Sequence, residues 1–310
     1  MPHSGPKAAY AALVQPDTLL FMQPRWLDAV CQWEAVVAKD KGGMAGLAVP
    51  RMRRWGLSQA DRPPFTPYLA PVFQPADGTE ASRASRRQAQ LVLQLLSQLP
   101  PRARYQFLLP PGMPGLAFHH AGFGLHTRYT YRLSLQVPEA QLWSQLKSEL
   151  RTQIRKAERQ HLLLNVEPNL ADFGALLQAS DNAVAEKARA LLPARVLALP
   201  GVHRLLMAYD ALGTPTACVL LVHDAHTVYL NYSCIRSARQ DTGVNAWLHW
   251  QAIRWAQAAG YAYFDFEGSM LPAVGRFYAQ FGGELCPYLL ATRAAHPLMR
   301  LRQALAILGV

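Results

Sequence analysis

In the stretch YAYFDFEGS, residues 261–269, Tyr263, Asp265 and Glu267 alternate with Phe264 and Phe266. In an extended chain successive side chains point to opposite faces, so the phenylalanines can anchor a core while two carboxylates stand on the other face, near the strand's carboxyl end. Ligands of open α/β sheets bind at that end. A carboxylate there can orient an attacking amine or accept its proton; equally, Asp265 can cap the following turn or pair with a basic residue. A second strand, HTVYLNYSCI over residues 226–235, sets Tyr229, Asn231 and Ser233 on one face as substrate-binding candidates, which Tyr263 joins.

Cations recur in two places. Arg236 and Arg239 precede a helix expected to begin near Asp241 or Thr242, and the free N–H groups and dipole of a helix start attract phosphate. Asp241 competes, because aspartate caps its own helix. Lys147, Arg151, Arg155 and Arg159 follow one another at four-residue spacing beside Leu142, Leu146, Leu150, Ile154 and Ala157, so one long helix over residues 139–160 would carry a basic stripe next to an apolar one. That stripe is either a solvated face or a contact for the phosphates of a nucleic acid or cofactor.

Several other chemistries lack their signatures. No Gly-x-x-x-x-Gly-Lys, Gly-x-Ser-x-Gly, His-Glu-x-x-His or Gly-x-Gly-x-x-Gly motif occurs, which argues against the common NTPase, hydrolase, metalloprotease and dehydrogenase designs. His119, His120 and His126 share a Gly-rich loop without ligand spacing, and the four cysteines are scattered, so no metal and no disulfide framework is expected.

These residues need elements to hold them. The chain has 310 residues, 51% hydrophobic and 16% charged, with a net charge of +11. There is ample apolar material for a core, length for two domains, and a charge that favours polyanionic partners. MQPRWLDAVCQW reads as a helix starting after Pro24, EAVVAKDKGGMAGLAVPRM as a hairpin, residues 62–75 as a Pro-rich loop, and SRASRRQAQLVLQLLSQL as a helix. After the expected 139–160 helix, residues 203–235 read as three strands joined by Asp-Ala-Leu-Gly and His-Asp-Ala-His turns; the helix TGVNAWLHWQAIRWAQAAG, the Asp265 strand and the helix LPAVGRFYAQFGG follow. The pattern predicts an α/β (α+β) protein of two domains, 1–137 and 138–310, with mixed central sheets flanked by helices. The N-terminus, broken by Pro6 and Pro16, does not form a signal peptide, and no apolar run reaches the roughly 20 residues of a membrane span. A cytoplasmic protein is expected. The closing HPLMRLRQALAILGV reads as an amphipathic helix packed on its own domain, on a membrane surface or on another subunit.

Three stretches together resemble the Fem-type peptidyltransferases and their FemAB-like or BioF2-like acyltransferase relatives: FMQPRWLDAV, LKSELRTQIRKAERQHLLLNVE and GYAYFDFEGSMLPAVGRFYAQFGGEL. The likeness runs from about Leu20 to Arg293, and the last stretch follows the family's Phe-Asp-Phe-Gly-Gly/Ser strand and Phe-Lys-x-x-Phe-Gly helix end. The resemblance implies tandem GNAT domains, no tightly bound cofactor, and transfer of an acyl or aminoacyl group from acyl-CoA or an aminoacyl-tRNA. The acceptor it implies is an amine, on a peptidoglycan or other cell-envelope precursor, a lipid-linked molecule or a small molecule. It places Asp265, Glu267 and Tyr278 in catalysis, Ser269 and Arg276 with the substrate, and Arg236, Arg239, Lys147, Arg151 and Arg155 on donor phosphates. One departure stands out: the family's lysine is Tyr278 here, which removes a cation and weighs against a tRNA donor. The competing reading is a catalytically idle GNAT fold that binds RNA or another polyanion through the basic helix.

Overall fold

The computed structural model describes residues 5–41, 43–54, 56–74, 81–167, 170–179, 195–236, 243–268, 270–297 and 299. The chain forms two compact units, Met1–Arg128 with Pro287–Val310, and Tyr129–Cys286. Alternation of elements alone places one division after residue 137. The C-terminal strand joins the first unit because its residues Leu289–Ala294 pair antiparallel with Arg104–Leu109.

In chain order the first unit begins with helices α1 (Pro6–Ala11) and α2 (Pro24–Val30), then strands β1 (Gln32–Asp40), β2 (Gly43–Arg54), β3 (Leu57–Gln59) and β4 (Val72–Phe73). Helix α3 (Ala81–Ser97), β5 (Arg104–Leu109), α4 (Leu116–His120) and β6 (Gly124–Ser134) follow. Pro24 starts α2 at its first turn, where a missing N–H loses nothing and φ is already helical. The hairpin β1–β2 pairs from Gln32↔Arg51 to Asp40↔Gly43, and β3 and β4 extend the sheet from β2. Trp26 lies in the buried core of this unit and donates to Thr66 Oγ1 at 3.0 Å. Arg104 grips Asp61 through two 2.8 Å bonds, the bidentate geometry that makes an ion pair specific.

The second unit contains α5 (Glu139–Gln145), α6 (Ser148–Glu158), β7 (Leu163–Asn165), α7 (Leu170–Gln178), β8 (His203–Tyr209), β9 (Pro215–His223) and β10 (Thr227–Ile235). Helix α8 (Val244–Ala258), β11 (Tyr263–Asp265), α9 (Pro272–Ala279) and the start of β12 (Glu284–Ala294) complete it. Its strands lie in the order β6-β11-β10-β9-β8-β7, antiparallel throughout except for the parallel pair β10–β11, which α8 connects. One face of the sheet, including Leu206, Val219, Leu221, Leu230, Phe264 and Phe266, packs against Leu142, Leu150, Ile154, Trp250, Ile253 and Phe281. Phe173, Leu176 and Leu177 of α7 are also buried. At about 25 cal/mol per Å² of apolar surface, each such side chain contributes roughly 1.5–3 kcal/mol. All four cysteines are free thiols, and Cys218 and Cys234 are buried opposite each other on β9 and β10.

The single helix expected over residues 139–160 is two. Leu146 (ψ 140°) and Lys147 (ψ 149°) are extended, and the Lys147 N–H donates to Gln280 O at 2.9 Å instead of continuing the ladder. The apolar stripe survives the break, since Leu142, Leu146, Leu150, Ile154 and Ala157 all remain buried. Among the described residues no helix is long and apolar enough to cross a membrane.

Candidate functional site

Strands β10 and β11 pair in parallel at Thr227↔Tyr263, Val228↔Phe264 and Tyr229↔Asp265, and then part. Beyond that point β10 stays with β9, its register shifting between Leu230 and Tyr232. The chain leaving β11 stays with β6, because the Phe266 N–H donates to Tyr131 O at 3.0 Å. A wedge therefore opens beyond the carboxyl end of β11, the place where parallel α/β topology leaves room for a ligand. Across it, Asn231 Nδ2 donates to Glu267 Oε1 at 3.1 Å. Helix α9 brings Tyr278, which is hydrogen-bonded to the Ser233 side chain. Burial, reinforced by the negative charge of Glu267, pushes the Tyr278 hydroxyl up to about 12, so it is a protonated phenol at neutral pH. Its ring centroid lies 4.9 Å from that of Phe266.

Asp265 is buried and holds the base of the wedge together. Its Oδ1 accepts the Thr130 hydroxyl at 2.6 Å and the Glu267 N–H at 2.9 Å, and its Oδ2 lies 3.7 Å from Arg132 Nε. The bond to the N–H two residues on is an Asx turn, and it bends the chain so that Glu267 has φ 48°, a left-handed conformation. For a residue with a side chain that conformation costs roughly 1–2 kcal/mol, and such strain concentrates at functional sites. Strand β11 ends at Asp265. Glu267 therefore presents its carboxylate from a turn, where alternation along an extended strand would set it on the same face as Tyr263.

The remaining residues singled out in the sequence divide. Tyr229 is buried, and its hydroxyl donates to Asp224 Oδ2 at 2.8 Å. Tyr263 is 40% exposed, with the Arg132 guanidinium 4.6 Å from its ring centroid. Arg276 is exposed on α9. Arg236 reaches back to Pro215 O at 3.1 Å. Lys147 sits in the helix break, Arg151 donates to Ser144 O at 3.2 Å, and Arg155 lies 5.6 Å from the Trp143 ring centroid. Ser269 and Arg239 lie outside the described residues. The wedge thus gathers Asn231, Ser233, Glu267 and Tyr278, with Asp265 beneath them.

Three residues of this neighbourhood are not legible in the sequence. Thr130 and Arg132 come from β6, and Thr130 is 135 positions from its partner Asp265; their alternation in RYTYRLS is the one signal they carry. His249 of α8 is fully buried, donates from Nδ1 to Asn245 O at 2.8 Å, and packs on Phe277, Tyr278 and Phe281. Burial pulls its pKa down to about 4, so a neutral imidazole supports the Tyr278 ring.

Residues 144–273, which include the parted pair β10–β11, match the family described as "Acetyltransferase (GNAT) domain". No curated protein matches the chain. Among solved structures, FemX is similar with a TM-score of 0.62 and 12% identity, over 91% of this chain and 95% of that one. The L-PGS of Bacillus licheniformis is similar with a TM-score of 0.56 and 11% identity, over 97% and 96%. The C-terminal domain of a putative lysylphosphatidylglycerol synthetase from Agrobacterium fabrum reaches a TM-score of 0.54 and 15% identity, over 84% of each chain. These likenesses show the fold. With the GNAT match, which lies within the unit Tyr129–Cys286, they give the chain a mixed α/β, GNAT-like fold.

Proposed function

We propose that the chain is an N-acyltransferase that moves an acyl or aminoacyl group from a thioester or ester donor to an amine within the β10–β11 wedge. The observation that carries this reading is the convergence of Asn231, Ser233, Glu267 and Tyr278 where the parallel strands part. The amine nitrogen attacks the donor carbonyl, and its proton passes to the Glu267 carboxylate, which Asn231 Nδ2 steadies. The developing oxyanion meets main-chain N–H groups on the edge of β10 that β11 no longer covers. As the C–S or C–O bond breaks, the Tyr278 hydroxyl supplies a proton to the leaving thiolate or alkoxide. Asp265 acts as a positioning residue, since its bonds to Thr130 and to the Glu267 N–H fix the turn.

The donor is acyl-CoA or an aminoacyl-tRNA, held without any tightly bound cofactor. Tyr278 in the place of the family's lysine favours the thioester. The acceptor is an amine of a peptidoglycan or cell-envelope precursor, free or lipid-linked, or a small amine, reached from the cytoplasm. The test is a transfer assay with panels of acyl-CoAs, aminoacyl-tRNAs and amines. Glu267→Gln is expected to lower kcat by about 10²–10⁴, the usual contribution of a general base, and Tyr278→Phe by less. Unchanged rates in both variants with a substrate pair that the wild type turns over would reject the site.

A further inference from the structure

Two sulfurs that the acyl-transfer chemistry does not use meet in the middle of the second unit's sheet. Cys218 of β9 and Cys234 of β10 are direct partners in the antiparallel register, both are buried, and their Sγ atoms lie 3.2 Å apart as free thiols. Facing residues of an antiparallel pair have Cα atoms about 4.5 or 5.5 Å apart, and both values fall inside the roughly 4.4–6.8 Å that a disulfide spans. Their Cβ atoms are about 4.5–5.5 Å apart against roughly 3.5–4.5 Å in a disulfide. Closing the bond therefore draws the strands together by on the order of 1 Å, and a bridge strained in this way is readily reduced again.

The two sulfurs differ in reactivity. A hydrogen bond from Cys218, with a second from the Tyr232 side chain, holds the Cys234 thiol below its ordinary pKa, whereas burial pushes Cys218 well above its own. The thiolate is the form that attacks, so Cys234 is the first to react. It stands on the strand whose edge β11 leaves uncovered after Tyr229, an opening for a small oxidant. It also follows Ser233, which is hydrogen-bonded to Tyr278.

We infer that Cys218 and Cys234 form a reversible thiol–disulfide couple that a hydroperoxide closes, and that closure reshapes the β10 wall of the wedge. The Cys234 thiolate attacks the terminal oxygen of the peroxide, the O–O bond breaks, and an alcohol, or water from hydrogen peroxide, leaves Cys234 as a sulfenic acid. The Cys218 sulfur then attacks the Cys234 sulfur; the S–O bond gives way to S–S, and hydroxide departs with the Cys218 proton as water. Two thiols are oxidised for one peroxide reduced. The effect on turnover rests on the acyl-transfer reading: a shift of about 1 Å at Ser233 displaces the Tyr278 hydroxyl, and a misplacement of that size costs up to about 10²-fold in rate.

The experiment treats the full reduced chain with hydrogen peroxide, quenches with catalase, alkylates the remaining thiols after unfolding and maps the peptides by mass spectrometry. Expected is an intramolecular bridge between Cys218 and Cys234, opened by dithiothreitol. In a Cys31→Ser/Cys286→Ser variant, whose melting curve checks folding, oxidation should slow acyl transfer by about ten-fold or more, and dithiothreitol should restore it. Cys218→Ala in that background should lose the bridge and leave a Cys234 sulfenic acid that dimedone captures. The inference is overturned if both thiols survive every peroxide concentration the fold withstands, if Cys234 is oxidised irreversibly without a bridge, or if the bridged chain transfers as fast as the reduced one. A bridge that forms in a chain transferring no acyl group to any amine keeps the thiol couple and removes the acyl-transfer reading instead.

Discussion

Gly243 offers a test of how the helix between β10 and β11 is seated. It precedes α8 with φ 81°, and a Cβ placed on it would lie 2.2 Å from the carbonyl oxygen of Gln153 on α6. Gly260 follows the same helix with φ 85°, yet a Cβ there meets nothing within 4 Å. Alanine at either position bears about 1–2 kcal/mol of left-handed strain, partly offset by about 0.4–1 kcal/mol from a less flexible unfolded chain. At Gly243 the contact is with backbone, which cannot swing away, and overpacking of this kind costs about 1–3 kcal/mol more. Gly260→Ala should therefore destabilise by about 0–1.6 kcal/mol and Gly243→Ala by about 1–3 kcal/mol more than that. Urea unfolding followed by circular dichroism, with equal m-values, reads both. Equal losses of stability in the two variants would show that α8 does not bear on α6 through this glycine and is held beside β10 by something else.

Acid stability should carry the mark of His249. Its folded pKa, about 4, lies below the unfolded value of 6.5, so the unfolded state takes up a proton that the folded state refuses. Stability is full above pH 6.5 and falls as pH drops toward 4, by about 1.4 kcal/mol per unit of pKa difference. Urea midpoints between pH 4.5 and 7 should show this slope in the wild type and a shallower one in His249→Leu; equal slopes refute it. Neutralising Lys147, Arg151 and Arg155 together with glutamine should raise the KM for a phosphate-bearing donor and flatten its dependence on salt, by up to about 0.9 in log–log slope for each cation that had neutralised a phosphate. An unchanged salt slope removes these three from the donor site.

The sequence carries the order and type of the second unit's elements because each is written locally. Alternation marks the strands from His203 to Ile235, and Asp210 and Asp224 tie the turns between them by accepting nearby N–H groups. What it does not carry depends on partners far along the chain. The break at Leu146–Lys147 answers a hydrogen bond from the Lys147 N–H to Gln280 O, and no helix propensity reports that. The assignment of Leu289–Ala294 to the first unit is a matter of strand pairing with β5, which hydrophobic pattern leaves open. Within the site, the two carboxylates are visible as a pair, but their different situations are not. Asp265 accepts from its own turn and from β6, whereas Glu267 is turned by left-handed backbone toward Asn231. Periodicity two assigns both to one face and cannot distinguish the pinned acid from the presented one.

The two walls of the wedge are held very differently. On one side Asp265 fastens β6, β11 and the turn into a single braced piece. On the other, α9 has no fully buried residue and no side-chain cap, and it is seated chiefly by the rings of Phe277 and Tyr278 packing on His249, Phe266 and Phe281, a shape-based contact that volume-conserving swaps can repack. If the proposed acyl transfer holds, selection for a new acyl chain would act by repacking the aromatic α9 wall while the braced wall keeps Glu267 in register, so that chemistry and selectivity would sit on separate mechanical parts and could be altered one at a time.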